Sequence, residues 1–335
     1  MRSFYGLILG LFLGMLIVPS TSFPRTITLT YANFPPASTF PCVQMERWKK
    51  EVEKRTQGRV KIITFPGGTL LGAKDMFRGV MEGQADIGCV CMAYQPGVFP
   101  LTTAVALPLG FQNATVASLV LWDVYNKYHP HAFSRVKVLT LFTSAPSNIM
   151  SRVPVRSLKD LKGLELRASG TASKILEVLG ATPVSMPMSE TPEALQKGIV
   201  KGLLSSLEVL KDLNFAAYCP YETITNFQVY PFAVIMNKKK WQSLPPEIRE
   251  VMDSLSREQA RWTGEYMDAH VKDALEYARV KYHARIFHFS TSDTQKAHEL
   301  CKEVIDEWKQ MALKAHVPVN RVLRDIETFK ARYQR

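Results

Sequence analysis

Alternating apolar and polar positions give way along this chain to apolar positions three to four residues apart, and this change recurs several times. Alternation predicts half-buried strands, whereas the longer spacing predicts helices with one buried stripe. The first predicted elements are a strand at 26–31, a helix that begins near Pro41 and stops at Gly58, a strand at 59–65, a helix at 73–83 and a strand at 85–92. Their order predicts a parallel sheet flanked by helices.

The same alternation continues through the middle of the chain in shorter segments. The predicted elements are helices at 119–127, 172–179 and 191–197, a helical turn at 158–161, strands at 136–142, 163–167 and 229–237, and an extended segment at 182–186. No internal repeat or low-complexity segment interrupts this order. An alternation of strands and helices is typical of an α/β protein.

One helical pattern is much longer than the others. It starts at Pro245-Pro246, where proline suits the first turn of a helix, and continues to about Tyr282. Its apolar stripe consists of Ile248, Val251, Met252, Leu255, Trp262 and Tyr266. A helix of about 37 residues is about 55 Å long at a rise of 1.5 Å per residue, which is more than one lobe of this chain could bury. We therefore expect a brace that runs across two lobes.

The N-terminus has the pattern of a secretory signal peptide. Arg2 precedes an apolar run from 5 to 18, and Pro19 and the small polar residues 20–22 follow. The run of about 14 residues is shorter than the roughly 20 that span a bilayer, which favours cleavage over the alternative of a retained membrane anchor. Residues 1–22 are therefore predicted to be a signal peptide, and the mature protein is predicted to be periplasmic.

Composition and charge narrow the function classes. Of the 335 residues, 46% are hydrophobic and 21% are charged, as in ordinary globular proteins, and the length suggests about two lobes. A formal charge of +12 is compatible with a nucleic-acid binder, a membrane-surface protein or a receptor for anions. Export and the lack of a basic recognition pattern disfavour nucleic acid as a partner.

The residues that could carry chemistry form no strong catalytic or metal motif. Five cysteines are present, and their odd number leaves at least one thiol free. Cys89 and Cys91 share one face of a predicted strand, but without a second pair they make a poor zinc site, so buried thiols are favoured. The pair His129 and His131 has no third ligand nearby. We therefore predict no metal, no cofactor and no catalytic residue, and the sequence offers little support for an enzyme.

Candidate ligand contacts follow from the rule that ligands bind beyond the carboxyl ends of parallel strands. The rule selects Asn33, Phe34, Gly68, Met92, Tyr94, Arg167 and Ser169. Arg167 is the only cation of this set, and its planar guanidinium can hold a carboxylate with two parallel hydrogen bonds. The alternative for a single arginine is a surface salt bridge.

Six segments in a fixed order resemble the substrate-binding proteins of tripartite ATP-independent periplasmic (TRAP) transporters, of the dicarboxylate-receptor type. The segments are 79–88 (GVMEGQADIG), 99–101 (FPL) with 107–108 (LP), 160–167 (DLKGLELR), 179–184 (LGATPV), 189–198 (SETPEALQKG) and 241–245 (WQSLP). The resemblance extends from about residue 27 to residue 315, nearly the whole mature chain.

This resemblance implies a two-lobed α/β periplasmic binding protein, with a mixed sheet flanked by helices in each lobe and a long helix bridging both. We expect lobe I to comprise 23–144 and 232–272, and lobe II to comprise 145–231 and 273–335. The resemblance also implies a receptor that closes on a small organic acid and delivers it to membrane permease subunits, and we expect this receptor to be a monomer. The resemblance further implies that Arg167 is the arginine that clamps the ligand's carboxylate.

Several pocket positions depart from the polar pattern of the sugar-acid receptors in that family. These positions hold Ala73, Cys91, Tyr94, Met188, Ser205 and Phe227. The family pattern has a second arginine near position 147, but this chain has Ser147 and Asn148 there. Because apolar pockets favour ligands with matching apolar surface, we expect a monocarboxylate with a hydrophobic or aromatic body.

Other interpretations of the same residues stay open. Met188, Phe227 and Cys91 could be core packing, with the ligand elsewhere in the cleft. The ligand could also be a C4-dicarboxylate or a hydroxy acid. A sensor module that presents its ligand to a signalling partner would share every residue argument, and an exported enzyme acting on small acids is a further alternative.

Overall fold

The computed structural model describes residues 26–334, and the predicted signal peptide at 1–22 lies outside the described residues. The strands are β1 (Ile27–Ala32), β2 (Val60–Phe65), β3 (Ile87–Cys91), β4 (Val136–Thr143), β5 (Asn148–Ser151), β6 (Glu165–Ala168), β7 (Thr182–Ser185), β8 (Gly202–Ser205), β9 (Tyr221–Ile224), β10 (Pro231–Asn237) and β11 (Arg285–His288). They form two mixed sheets, in the orders β2-β1-β3-β10-β4 and β11-β9-β5-β8-β6-β7.

Helices flank both sheets. They are α1 (Phe40–Arg55), α2 (Met76–Glu82), α3 (Ala114–Tyr128), α4 (Thr171–Val178), α5 (Thr191–Gln196), α6 (Val209–Asp212), α7 (Lys238–Ser243), α8 (Pro246–Tyr282), α9 (Thr291–Leu300), α10 (Lys302–Lys314) and α11 (Val319–Tyr333). The two-lobed α/β fold with mixed sheets is therefore confirmed. We call the half around the five-stranded sheet the first lobe and the half around the six-stranded sheet the second lobe.

The parallel order predicted for the first three strands is confirmed, and the sheet that contains them is mixed, as the resemblance implies. Strands β1, β2 and β3 pair in parallel, as the β-α-β-α-β order predicts. Strand β10, however, inserts between β3 and β4 and runs antiparallel to both. It enters this sheet after the chain has passed through the second lobe. Hydrophobic patterning marks a buried strand but does not encode its direction, because both orientations bury the same side chains.

The long helix α8 has the extent that the sequence predicts, 37 residues from Pro246 to Tyr282. In its first half, Thr140 of β4 donates a hydrogen bond from Oγ1 to the carbonyl oxygen of Ser256. In its second half, His270 bonds to Asp212 of α6, in the second lobe. The helix therefore bridges both lobes.

Helices α8 and α3 pack at very short range. A Cβ atom placed on Gly264 would lie 2.5 Å from Cα of Thr115. One turn further on, the carboxylate of Asp268 accepts hydrogen bonds from the backbone N–H of Ala114 at 2.6 Å and from that of Thr115 at 3.0 Å. The first N–H groups of a helix have no partner within the helix, so Asp268 satisfies the N-terminus of α3 and fixes α8 on the first lobe. We call this contact the brace junction.

The cysteines are structural in this fold. All five, at 42, 89, 91, 219 and 301, lie within the described residues, and each is buried and free. Between residues 26 and 334, no helix combines the length and apolar character needed to cross a bilayer. Helix α11 packs against α3 of the first lobe and α10 packs against α4 of the second, so the C-terminal helices contact both lobes.

Candidate functional site

A small cavity of about 50 Å³ lies between the two lobes, where strands of both sheets end. One wall comes from the loop and helix start after β1, and the facing wall comes from the segment after β8. We call this space the inner cavity. Its lining residues are Phe34, Pro35, Thr39, Phe40, Pro41, Cys91, Tyr94, Ser144, Arg167, Met188, Ser205, Ser206, Glu208, Val209, Asp212, Leu213, Tyr230 and Phe232.

Among the described residues that line the inner cavity, Arg167 on β6 is the only cation. Its side chain is buried, with 1% of the residue exposed. Nε and Nη2 donate to the carbonyl oxygen of Met186 at 3.1 and 2.7 Å, and Nη2 also donates to the hydroxyl oxygens of Tyr94 and Ser169. No carboxylate within residues 26–334 forms an ion pair with this guanidinium. A buried charge without a counter-ion is costly, so the arrangement suits an anion that enters the cavity.

Tyr94 joins the two lobes at Arg167. It lies in a helical turn after β3, and its hydroxyl oxygen accepts hydrogen bonds from Arg167 Nη2 and from the backbone N–H of Met188, both at 3.0 Å. Burial raises the pKa of Tyr94 above its ordinary value, so the phenol stays protonated near neutral pH. Because both contacts use the oxygen as acceptor, the Tyr94 hydroxyl proton is available to a ligand.

Aromatic rings form much of the first-lobe wall. Phe34 packs edge-on against Tyr94 with ring centroids 5.5 Å apart, and Phe40 packs edge-on against Phe232 at 5.3 Å. Burial raises the pKa of the Cys91 thiol to about 12, so Cys91 contributes a neutral, weakly polar surface. This wall suits an apolar or aromatic group.

The second-lobe wall is acidic. Burial raises the pKa of Glu208 to about 7, and the nearby Asp212 carboxylate shifts it in the same direction. Asp212 Oδ1 lies 2.6 Å from Nε2 of His270 on α8, and this hydrogen bond raises the pKa of His270. Neither Glu208 nor Asp212 is among the residues that the sequence selects. The strand-end rule would have reached Glu208, which follows β8 closely, but β8 is only four residues long and has no readable periodicity.

The structure brings half of the predicted ligand residues together. Phe34, Cys91, Tyr94, Arg167, Met188 and Ser205 line the inner cavity. Met92 and Ser169 instead line a larger cleft of about 770 Å³, to which Tyr94 also contributes. The chemistry points to the smaller space, because the buried guanidinium and the carboxyl groups of Glu208 and Asp212 line the inner cavity.

Four predicted residues line neither space and support the loops around them. Asn33 donates from Nδ2 to the carbonyl oxygen of Pro41 at 2.7 Å, and the N–H of Gly68 donates to the carbonyl oxygen of Asn33. Asn148 accepts from the backbone N–H of Thr225 at 2.7 Å. Phe227 is buried at 5% exposure. Ligand contact by Asn33, Gly68, Asn148 and Phe227 stays a prediction.

The described part of the chain offers no metal centre. Between residues 26 and 334, no three His, Cys, Asp or Glu side chains are grouped so that they could hold a metal ion. Among the described residues, the polar side chains that line the inner cavity are one cation (Arg167), two carboxyl groups (Glu208 and Asp212), two phenols (Tyr94 and Tyr230) and four aliphatic hydroxyls (Thr39, Ser144, Ser205 and Ser206).

Comparison with known proteins gives a consistent result. The sequence model of the bacterial extracellular solute-binding protein family 7 (DctP) matches residues 31–311. The 2,3-diketo-L-gulonate-binding periplasmic protein YiaO of Escherichia coli K12 is 25% identical over 254 residues, which cover 74% of this chain and 77% of YiaO.

Two solved structures have the same fold. A TRAP periplasmic solute-binding protein from Desulfovibrio salexigens is 62% identical with a TM-score of 0.84, over 92% of this chain and 97% of that one; there, in an open complex, the C-terminus of a symmetry mate is bound in the ligand-binding site. A TRAP solute-binding protein from a marine metagenome, specific for aromatic acids and in complex with 3-hydroxybenzoate, is 24% identical with a TM-score of 0.88, over 93% of this chain and 100% of that one.

Proposed function

Because the chain belongs to family 7 of the bacterial extracellular solute-binding proteins, the solute receptors of TRAP transporters, we propose a specific ligand class for it. The ligand is a monocarboxylate with a hydrophobic or aromatic body, delivered to TRAP permease subunits. It binds between the lobes at the inner cavity, which has to widen from about 50 Å³, since a cavity that holds benzene has roughly 150 Å³. We further propose that the mature receptor is a periplasmic monomer that begins after residue 22, with lobe I at 23–144 and 232–272 and lobe II at 145–231 and 273–335.

The buried guanidinium of Arg167 is the observation that carries this proposal. Its hydrogen bonds within the described residues use Nε and Nη2 and leave Nη1 for a ligand. A carboxylate placed against the guanidinium would supply the missing counter-charge and a charge-assisted hydrogen bond. The Tyr94 hydroxyl is available to donate a second one.

The walls support the rest of the ligand class. Phe34, Phe40 and Phe232 offer apolar surface, and burial of apolar ligand area stabilises a complex by about 25 cal/mol per Å². In the Desulfovibrio relative the ligand site accepts a polypeptide C-terminus, a group that ends in a carboxylate. The metagenome protein supports the fold alone at its level of identity.

The carboxyl groups of Glu208 and Asp212 disfavour a C4-dicarboxylate. A second carboxylate in the inner cavity would meet no second cation among the lining residues and would face Glu208 and Asp212. Like charges at close range in a buried site raise the free energy of the bound state. A hydroxy acid with one carboxylate avoids this repulsion.

Titration calorimetry with matched variants tests the assignment. We expect Arg167→Lys to weaken binding of an aromatic monocarboxylate by about 1.5–3 kcal/mol, because lysine cannot reproduce the planar contact. Arg156→Lys is the matched control, since Arg156 is exposed and lies over the ring of Phe287. Equal affinities of the wild type and Arg167→Lys would contradict the carboxylate clamp.

A ligand panel tests the class. Thermal shifts with benzoate, phenylacetate, succinate and a sugar acid should be largest for the aromatic acids, since a ligand at 100 times its Kd stabilises the folded state by about 2.7 kcal/mol. A shift with succinate alone would overturn the proposed ligand class. Conversion of a bound acid into product would favour an enzyme over a receptor.

A further inference from the structure

Three polar atoms on the second-lobe wall have no hydrogen-bond partner among the residues that the structure describes. We call Ser206, Glu208 and Asp212 the acidic wall. Glu208 is 3% exposed and Ser206 is 1% exposed, and the side chain of Asp212 is 4% exposed. Within residues 26–334, Glu208 Oε2 and Asp212 Oδ2 have no hydrogen-bond partner, and neither does Ser206 Oγ at hydrogen-bond distance and angle, although the Ser206 hydroxyl is close enough to the Glu208 carboxyl to offset in part the rise in its pKa that burial causes. All three residues line the inner cavity.

Buried polar atoms of native proteins are nearly always hydrogen-bonded. Three exceptions within one short segment of chain, all on the wall of one cavity, indicate that their partner is a molecule that enters it. Water could occupy the space without a ligand, since about 50 Å³ exceeds the roughly 10–15 Å³ that one water needs.

Helix α8 holds one of these acceptors in place. Asp212 Oδ1 is engaged by His270, whose ring stacks on Tyr266 with centroids 5.2 Å apart. Tyr266 stacks in turn on Trp262, and the guanidinium of Arg47 lies over Trp262. This column fixes the imidazole and, through it, one carboxylate oxygen, so that Oδ2 stays free as an acceptor.

The acidic wall also contacts the first lobe. Ser38 donates from Oγ to the carbonyl oxygen of Asp212 at 3.3 Å. The wall therefore faces the ligand space with the lobes in contact, and a ligand held by Arg167 shares that space with Glu208.

We propose, on the basis of the function proposed above, that the acidic wall accepts a hydrogen bond from a hydroxyl or amino group on the body of the ligand. The receptor then selects monocarboxylates that carry such a donor over otherwise identical acids that do not. Arg167 recognises the carboxylate, and Glu208 with Asp212 recognises the donor.

The protonation of Glu208 bears on which donor is preferred. With a pKa of about 7, Glu208 is partly protonated at neutral pH. The groups around Glu208 are Ser206, Asp212 and His270. Lys211 and Tyr266 lie next to the pair formed by Asp212 and His270. A hydroxyl can donate to the carboxylate form and accept from the acid form, whereas an ammonium group requires the carboxylate form.

Paired ligands test the proposal. The pairs are 3-hydroxybenzoate with benzoate and mandelate with phenylacetate, and 3-methoxybenzoate adds bulk without a donor. We expect the donor-bearing member of at least one pair to bind about tenfold more tightly, the effect of one hydrogen bond to a charged group. Comparison with 3-(aminomethyl)benzoate between pH 6 and 8 separates the two donors, since ammonium binding should strengthen as pH rises and hydroxyl binding should change less.

Glu208→Leu should reduce the affinity ratio within the discriminating pair from about tenfold to about one, whatever it does to the affinity for benzoate itself. Glu222→Leu is the matched control, because Glu222 is also a buried carboxyl of the second lobe but does not line the inner cavity. This variant should keep the preference for the acid that carries a donor. Asp212→Asn with Ser206→Ala, checked for folding by its melting temperature, provides a second test if Glu208→Leu does not fold.

The outcomes separate this proposal from the proposed function. Equal binding of both members of each pair by the wild type, or a preference that survives in Glu208→Leu, would overturn the donor subsite. The carboxylate clamp would then still stand if Arg167→Lys weakened both members. If no carboxylate binds, both proposals fail.

Discussion

The brace junction and the inner cavity both bury carboxyl groups, but they differ in how many hydrogen bonds these groups accept. At the brace junction, Asp268 accepts hydrogen bonds from two backbone N–H groups and from the hydroxyl of Thr115. In the inner cavity, Glu208 and Asp212 each keep one oxygen without a partner among the described residues. A satisfied buried carboxylate stabilises a fold, whereas an unsatisfied one costs free energy, and we interpret the second as a cost that a ligand offsets.

The largest expected effect lies at the brace junction. Gly264→Ala should lower the free energy of unfolding by about 3 kcal/mol, because the new Cβ would overlap backbone atoms of α3 that cannot move independently. Urea denaturation measures this loss. Gly72→Ala is the control, since its Cβ would meet only a side-chain oxygen at 3.6 Å. An unchanged denaturation midpoint would show that α8 does not depend on close packing there.

Glu222 challenges the comparison, because it is a buried carboxyl that belongs to neither region. Neither of its oxygens has a partner among the described residues, and burial raises its pKa well above the ordinary value. The folded state therefore holds a proton that the unfolded state releases above about pH 4.3. Stability should fall as pH rises from there toward the folded-state pKa, by up to about 1.4 kcal/mol per pH unit.

Glu222→Gln should remove this contribution and stabilise the protein near neutral pH. Melting temperatures of the wild type and the variant between pH 5 and 8 would measure it, with the exposed Glu250→Gln as control. The melting temperature of Glu222→Gln should still depend on pH to some extent, since the pKa of Glu208 is also raised, to about 7. Parallel curves for the wild type and Glu222→Gln would count against an unpaired buried acid at this position.

The smallest expected effect sharpens the description of the acidic wall. The hydrogen bond to Asp212 raises the pKa of His270, so its stabilising contribution should be present below about pH 6.5 and be lost as pH rises through the folded-state pKa. His270→Gln should cost about 1 kcal/mol at pH 6 and less at pH 8. Exposed His298→Gln serves as the control, and an equal cost at both pH values would show that charge plays no part.

Much of the scaffold could be predicted from local sequence. The apolar stripe and the proline pair gave the bounds of α8, because a helix of 37 residues repeats its pattern over many turns. Arg167 was selected because it ends an apolar strand, and the structure places it in the inner cavity. Strands β5, β8, β9 and β11 are not among the predicted elements. Four residues give little period to detect, but β6 and β7 are equally short and were predicted, so length alone does not explain the difference.

The sequence by itself therefore determined the family, the two-lobed α/β architecture and the bridging helix, and it selected Arg167 as the cation of the candidate site. Only the tertiary structure decided that β10 runs antiparallel in the first sheet and that Glu208 and Asp212 share a cavity with Arg167. Helices and isolated charged residues depend on neighbours a few positions away, which the sequence displays directly. Strand direction and the walls of a cavity depend on segments that are far apart in the chain, and these meet only when both lobes pack.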